Sequence, residues 1–496
     1  MRDLVPKGWL GRRELLLGAS AFAGATTAAR ASRLTSPANI GHYRIKALSL
    51  DPPRFAVIAD LPIEGDRLTM ADSYPAELPA MAAGGWPTLV SDLIASDAAG
   101  RPVKLVRAKD QGWQLAQVIS GRVRLTYIVD FALFAKAGWP SPLESAIADG
   151  DTAAVCARAL FVTTAAMSGA DVRIEPPARW RVAAPWPAST AVHGAYRAAT
   201  TTDLTDNFIA FSTRPADVVT AAGFQLQITA MGHWRPLRPL IRRALRAIVT
   251  REVALMNYQQ RDSYNVVLVP MPDTGGEAYR QSFVYAFKDP TPANRAIWLN
   301  TMAHEIFHYW NYARLQGADY ASTQWFQEGF TEYVANWTLV GSGLVSPQVF
   351  LDKLATHVAN ARKLTTTLEA IGTRKGPPLY SAGALVAFSF DIMIRRATAG
   401  RRNLGDFFRN LWRYTGAGTR KYAWADIEAA LRGTANADWQ GFYARHIRGR
   451  EPLPLDSVFD AAGLRLGHGP DGAPLVTLDP AANRAAKALW ANLVSG

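Results

Sequence analysis

The chain has 496 residues, 49% of them apolar and 19% charged, which excludes a disordered or fibrous polymer and allows two or three domains with large buried cores. Its net charge of +13 would suit an acidic partner or a membrane surface. The arginines are dispersed, apart from Arg242-Arg243 with Arg246 and Arg395-Arg396 with Arg401-Arg402; no nucleic-acid motif accompanies them, so solvated basic helix faces are the simpler account and no nucleic acid is expected as a partner.

Residues 1–32 read as an export signal. Arg12-Arg13 precede Leu15-Leu16-Leu17, an apolar run through Ala25 and a small-residue site at Ala29-Arg30-Ala31. The run is too short to span a bilayer. GRRELLLGASAF resembles a twin-arginine signal but has neither the usual Ser before the pair nor the Phe after it, so an ordinary secretory signal fits too, and an uncleaved anchor is the bland alternative. The expected location is periplasmic or extracellular. No later window looks transmembrane, and no stable span is expected once the signal is removed.

Residues 40–200 read as β structure. Val123–Phe131 alternates apolar and polar residues at period 2, and shorter runs recur at His42–Leu48, Arg54–Ala59, Val103–Ala108, Gly112–Ile119 and Asp171–Glu175. Pro52-Pro53, Gly84-Gly85 and Pro176-Pro177 punctuate them, which suggests an antiparallel sandwich. Cys156, the single cysteine, excludes an intrachain disulfide and has no partner for a thiolate metal site; it reads as a small buried hydrophobe.

From residue 201 the period changes. Leu237, Leu240, Ile241, Ala244, Leu245 and Ile248 recur at helical spacing with arginines on the other face, and Pro236 and Pro239 fall in the opening turn where proline is tolerated. Tyr264–Pro270 reads as a strand, as does Phe283–Phe287. Between them lies Gly275-Gly276-Glu277.

The stretch Thr301–Ala335 carries the chemistry. In His304-Glu305-Ile306-Phe307-His308 the two histidines are four apart, which puts both imidazoles on one helix face at a spacing suited to one tetrahedral zinc ion. Glu305 is close enough to act on a metal-bound water. A catalytic zinc needs a third protein ligand and an open position. Glu328 is the best candidate: the 19 residues between it and His308 accommodate a loop around Gly317-Ala318-Asp319 and a return helix. Glu332, one turn further, is placed to accept the free N–H of a ligating histidine. Two histidines and a glutamate also occur as a solvated helix stripe; the paired carboxylates on a second helix weigh against that.

HEIFHYWN followed by WFQEGFTEYVA resembles the glycyl aminopeptidase family of gluzincins, thermolysin-like zinc peptidases with a His-Glu-x-x-His helix and a Trp-x-x-Glu-Gly-Phe-Thr-Asp/Glu-Tyr helix. Alanyl-type aminopeptidases share the plan but usually have 18 intervening residues. The resemblance implies an α+β fold: an N-terminal antiparallel β-sandwich domain over 40–200, a thermolysin-like catalytic domain over 201–345, a mostly helical C-terminal part over 346–450 and an extension over 451–496. The PDZ domain that often ends the family does not fit in the roughly 45 residues after Glu451. Leu379–Val386 matches the family's Tyr-x-x-Gly-Ala-Leu-Val, which makes Tyr380 the implied oxyanion donor; by itself it would read as a half-buried core tyrosine.

At the edge strand, where Gly275 and Gly276 would let a substrate main chain approach, the family has Gly-Gly-Leu-Glu-His-Arg-Asn-Ser. Here Ala278 takes the place of its Glu, and Glu277 stands one residue early. Either a bulge returns Glu277 to the cleft as an anchor for a substrate α-amine, or it is a solvated turn residue. The expectation is a metallopeptidase with one zinc per chain that cleaves peptide or protein substrates by Glu305-assisted attack of a zinc-bound water, acting as an aminopeptidase. The alternatives are a zinc endopeptidase, a silent zinc protein that binds peptides in the cell envelope, and a non-peptidase hydrolase on the same scaffold.

Overall fold

The computed structural model describes residues 39–71, 84–108, 112–136, 144, 146–272, 275–372 and 376–495; the export signal expected over 1–32 lies outside them. The N-terminal strands are β1 (Ile40–Leu50), β2 (Pro53–Thr69), β3 (Val90–Asp97), β4 (Pro102–Val103), β5 (Leu105–Arg107), β6 (Gly112–Asp130), β7 (Ala146–Asp149), β8 (Thr152–Cys156), β9 (Gly169–Glu175), β10 (Arg181–Ala183), β11 (Tyr196–Ala198) and β12 (Phe208–Ser212). One sheet runs β11-β9-β1-β2-β6-β3-β4, with β5 also on β6; a second runs β10-β12-β8-β7. Pairing is antiparallel except between β1 and β9, which are parallel.

The alternation in β6 has its expected result: Val123, Leu125, Tyr127 and Val129 are buried, and they share a core with Phe55 and Val57 of β2 and with Val155, Ile209 and Phe211 of the second sheet. The two runs read as Gly112–Ile119 and Val123–Phe131 form one strand. Gly121 adopts φ +109°, open to glycine, and the ladder to β2 continues past it from Asp130 opposite Arg54 to Gly112 opposite Thr69.

A five-stranded sheet follows in the order β13-β14-β15-β17-β16, with β13 (Asp217–Ala221), β14 (Phe224–Ala230), β15 (Asp262–Val269), β16 (Gly275–Ala278) and β17 (Ser282–Ala286). Strands β14, β15 and β17 are parallel, and β16 lies antiparallel at the edge. One face, with Val267, Val269, Val284 and Ala286, packs on Ala154, Cys156, Phe208 and Ala210 of the N-terminal part. All of β8 is therefore buried, as for any strand covered on both faces, and Cys156 is a core residue as read.

The other face carries Leu226, Tyr264, Val266, Phe283 and Tyr285 and is covered by helices. Arg238–Met256 buries Ile241, Ala244, Leu245 and Ile248 there and turns Arg242, Arg243 and Arg246 outward. Three further helices make the centre: the motif helix Arg295–Phe307, the return helix Gln324–Gly341 and the Tyr380 helix Pro377–Ala397. All three are buried around most of their circumference, as helices enclosed by others are. The Tyr380 helix alone, among the described residues, is long and apolar enough to cross a membrane, a property the sequence reading overlooked; in the fold it is core.

The return and Tyr380 helices cross at glycine. A Cβ on Gly329 would lie 2.3 Å from the Cα of Gly383, and one on Gly383 2.3 Å from the carbonyl oxygen of Trp325, so the two backbones touch and Tyr380 is brought beside the motif helix. The chain ends in a hairpin, Leu464–His468 with Pro474–Leu478, and a helix, Arg484–Ser495. That last helix is bound to the return helix: the Trp337 indole N–H donates to the Leu493 carbonyl at 2.9 Å.

Candidate active site

The motif helix ends at Phe307, and His308 is its C-cap. His304 and His308 nonetheless stay on one face, with ring centroids 4.6 Å apart. Chain reversal through residues 309–323 then brings the return helix alongside. His304 Nε2 and His308 Nε2 are 3.0 Å apart, and each is 3.3 Å from Glu328 Oε2. All three residues are buried.

The partners of the other ring nitrogens decide the tautomers. His304 Nδ1 lies 3.3 Å from the Glu332 carboxylate, and His308 Nδ1 lies 3.0 Å from the Asn311 carbonyl oxygen. Both partners accept only, so both Nδ1 atoms carry hydrogen and the Nε2 atoms are the ones turned toward Glu328. Two imidazole nitrogens and one carboxylate oxygen thus converge in a buried pocket, an arrangement suited to a cation. A tetrahedral ion with bonds of about 2.0–2.1 Å sets its ligand atoms about 3.3 Å apart, so the donor set and its spacing fit zinc.

The electrostatics agree. Burial opposes charge on His304, but hydrogen bonds to Glu328 and Glu332 and the nearby Glu305 outweigh it and push its pKa up to about 10: the field at this point favours positive charge. Burial holds His308 below the usual histidine range. Glu332 is the reverse case. Burial would raise its carboxyl, yet the hydrogen bond from His304 and the charge of Lys353 bring it down to about 2, so it is ionised. Asn336 Nδ2 donates to its other oxygen at 3.0 Å.

Glu305 lies against the edge strand. A Cβ on Gly276 would be 2.3 Å from Glu305 Oε1, so glycine at 276 makes room for this carboxylate, whatever a substrate also needs there. The Tyr380 ring lies 5.8 Å from that of His304, and the Tyr312 ring 6.1 Å from that of His308.

Glu277 is the correction. Strands β16 and β17 pair one-to-one, Gly275 with Ala286, Gly276 with Tyr285, Glu277 with Val284 and Ala278 with Phe283. Gly276 and Ala278 therefore share the face of Tyr285 and Phe283, toward the motif helix, while Gly275 and Glu277 share the opposite face with Val284 and Ala286. No bulge turns Glu277 back, so it is not placed to anchor an amine beside Glu305.

Two comparisons with known proteins bear on this arrangement. Family models match residues 73–212, as the M61 peptidase N-terminal domain, and residues 297–370, as the M61 glycyl aminopeptidase. In both stretches the chain matches the M61 glycyl aminopeptidase family. These matches mark the chain as a metallopeptidase, a hydrolase of the aminopeptidase-like type. A search of curated proteins gave no match. Among solved structures, an aminopeptidase N family protein from Idiomarina loihiensis has the same fold (TM-score 0.72, 19% identity, 86% of this chain and 79% of that one). So does an M1 zinc metallopeptidase from Deinococcus radiodurans (0.51, 15%, 84% and 95%), and a mutant of the latter is bound to a Tyr-Ser-Ala substrate (0.52, 15%, 84% and 96%).

The surroundings of the cluster include residues that the sequence alone does not single out. Asn311, inside HEIFHYWN, is fully buried. His357, on the helix Pro347–Ala361, approaches Glu332 Oε1 at 3.7 Å with Nε2 and Ser381 Oγ at 3.1 Å with Nδ1. Ser381 follows Tyr380 directly. The one available signal was a lone histidine on an otherwise apolar helix face, too weak to single out.

Burial holds His357 down to about 4, against 6.5 when free. Between those values the unfolded chain binds a proton that the folded chain refuses, so this contribution to stability is complete above pH 6.5 and is lost as the pH falls toward 4. The loss is about 3 kcal/mol at most. Urea melts at pH 7 and pH 5 should show a larger drop for the wild type than for His357→Gln; equal drops would place the acid sensitivity elsewhere.

Proposed function

We propose that this protein hydrolyses peptide bonds with one zinc ion per chain held by His304, His308 and Glu328. The observation that carries the reading is the convergence of two imidazole Nε2 atoms and one carboxylate oxygen at 3.0–3.3 Å with both Nδ1–H groups already committed. Bound there, zinc supplies Lewis acidity, acidifying water and polarising the peptide carbonyl.

The chain's own groups do the rest. Glu305 takes a proton from the attacking water and delivers it to the leaving amine, so that one carboxylate serves as base and then acid. The Tyr380 phenol donates a hydrogen bond to the carbonyl oxygen as it becomes negative, a neutral donor aimed at developing charge. Glu332 holds the His304 ring in the tautomer that keeps Nε2 unprotonated.

The family and the peptide-bound M1 neighbour support a peptide substrate and favour aminopeptidase action. Ala278, in place of the family's Glu and on the Glu305 face, favours the second reading, an endopeptidase, because a carboxylate is the natural partner for a substrate α-amine. Cleavage of matched free and N-acetylated peptides, followed by mass spectrometry with and without a chelator, decides both questions. Aminopeptidase action predicts chelator-sensitive cleavage of the free peptide alone. Equal cleavage of both leaves an endopeptidase, and no cleavage of either rejects the enzyme.

The proposed location is outside the cytoplasm, from the Arg12-Arg13 signal. Replacing both arginines by lysine should leave precursor in the cytoplasm if a twin-arginine route is used. Unchanged export points to the general secretory route, and wild-type protein found only in the cytoplasm refutes export.

A further inference from the structure

Two of the three ligand atoms come from the motif helix and its cap, and the third comes from the return helix, on the far side of a loop. Something must fix their separation. Asn311 lies at the start of that loop and is fully buried. Its main-chain carbonyl oxygen accepts His308 Nδ1–H at 3.0 Å. Its side-chain amide nitrogen donates to the carbonyl oxygens of Phe326 and Gln327, at 3.2 and 3.1 Å, and lies 3.1 Å from Thr331 Oγ1. Those three acceptors bracket Glu328 on the return helix, two just before it and one nearly a turn after it. The Asn311 amide N–H also donates to the Phe307 carbonyl, closing the last turn of the motif helix.

One residue therefore holds His308 with its main chain and the Glu328 turn with its side chain. We infer that Asn311 is a positioning residue that sets the spacing between the histidine pair and Glu328, and with it the affinity for the metal. The inference rests on the ligand set proposed above. The contacts are of the kind that orient ligands from outside the coordination sphere, whose loss costs about 10–100-fold in metal affinity. An asparagine suits the place because its NH2 faces acceptors only; an aspartate would set a buried carboxylate against two carbonyl oxygens.

The test is a zinc dissociation constant, measured by competition with a chromophoric chelator on the purified full chain. Asn311→Ala keeps the main-chain bond to His308 and removes only the link to the return helix. It is expected to weaken zinc binding about 10–100-fold and to alter the visible spectrum of the cobalt-substituted protein. Thr331→Val, a milder variant, should weaken zinc binding by less, and Thr331→Ser, which keeps the hydroxyl, should restore wild-type affinity.

A metal-free Asn311→Ala protein that melts lower but binds zinc within about twofold of wild type shows a merely structural role and overturns the inference. Should Asn311→Ala fail to fold, Thr331→Val decides, and wild-type affinity there overturns it equally. Wild-type protein that takes up no zinc overturns the ligand reading itself, a result distinct from either.

Discussion

Glu305→Gln is expected to retain zinc and to lower kcat by about 10²–10⁴-fold, the usual range for loss of a general base. Glutamine has the shape of glutamate and fits the same space against Gly276, where no side chain could replace the hydrogen. It cannot accept a proton from water near neutral pH. His304, His308 and Glu328 are untouched, so KM should stay close to that of the wild type and the loss should fall on kcat. Steady-state kinetics beside elemental analysis check this. A fully active variant would remove Glu305 from the mechanism; a variant without zinc would make it a structural support of the site.

His308→Ala is expected to abolish both metal and turnover. The wild-type cluster places three donors at 3.0–3.3 Å in a buried pocket, and alanine leaves two, with a gap where the third stood. The affinity loss should exceed the roughly 100-fold upper cost of disturbing a supporting residue. Activity regained at millimolar added zinc would agree with a weakened site. Full zinc content and wild-type turnover in the unsupplemented variant would mean that the metal sits elsewhere.

The parts of the site that were legible in the sequence are those fixed by local spacing. Residues 304, 305 and 308 lie within about one helical turn, so periodicity alone sets their relation. Glu328 and Glu332 are likewise one turn apart on the return helix, for which the 19 residues after His308 leave room. What the sequence could not fix is register and long-range approach. Glu277 depended on whether β16 bulges, since a one-residue slip in a strand reverses every side chain; the ladder to β17 is regular and turns it away.

The roles of Asn311 and His357 exist only because a loop and a third helix fold back onto the return helix, across 15–25 residues. In the N-terminal part the alternation of β6 was plain, but its continuity was not, because Gly121 looks like a break until its positive φ and continued pairing are seen.

Anomalous diffraction at the zinc edge, on crystals of the protein purified without added metal, tests the central claim most directly. The account predicts one peak per chain, within bonding distance of His304 Nε2, His308 Nε2 and Glu328 Oε2. No peak there, or a peak bound by other residues, would contradict it.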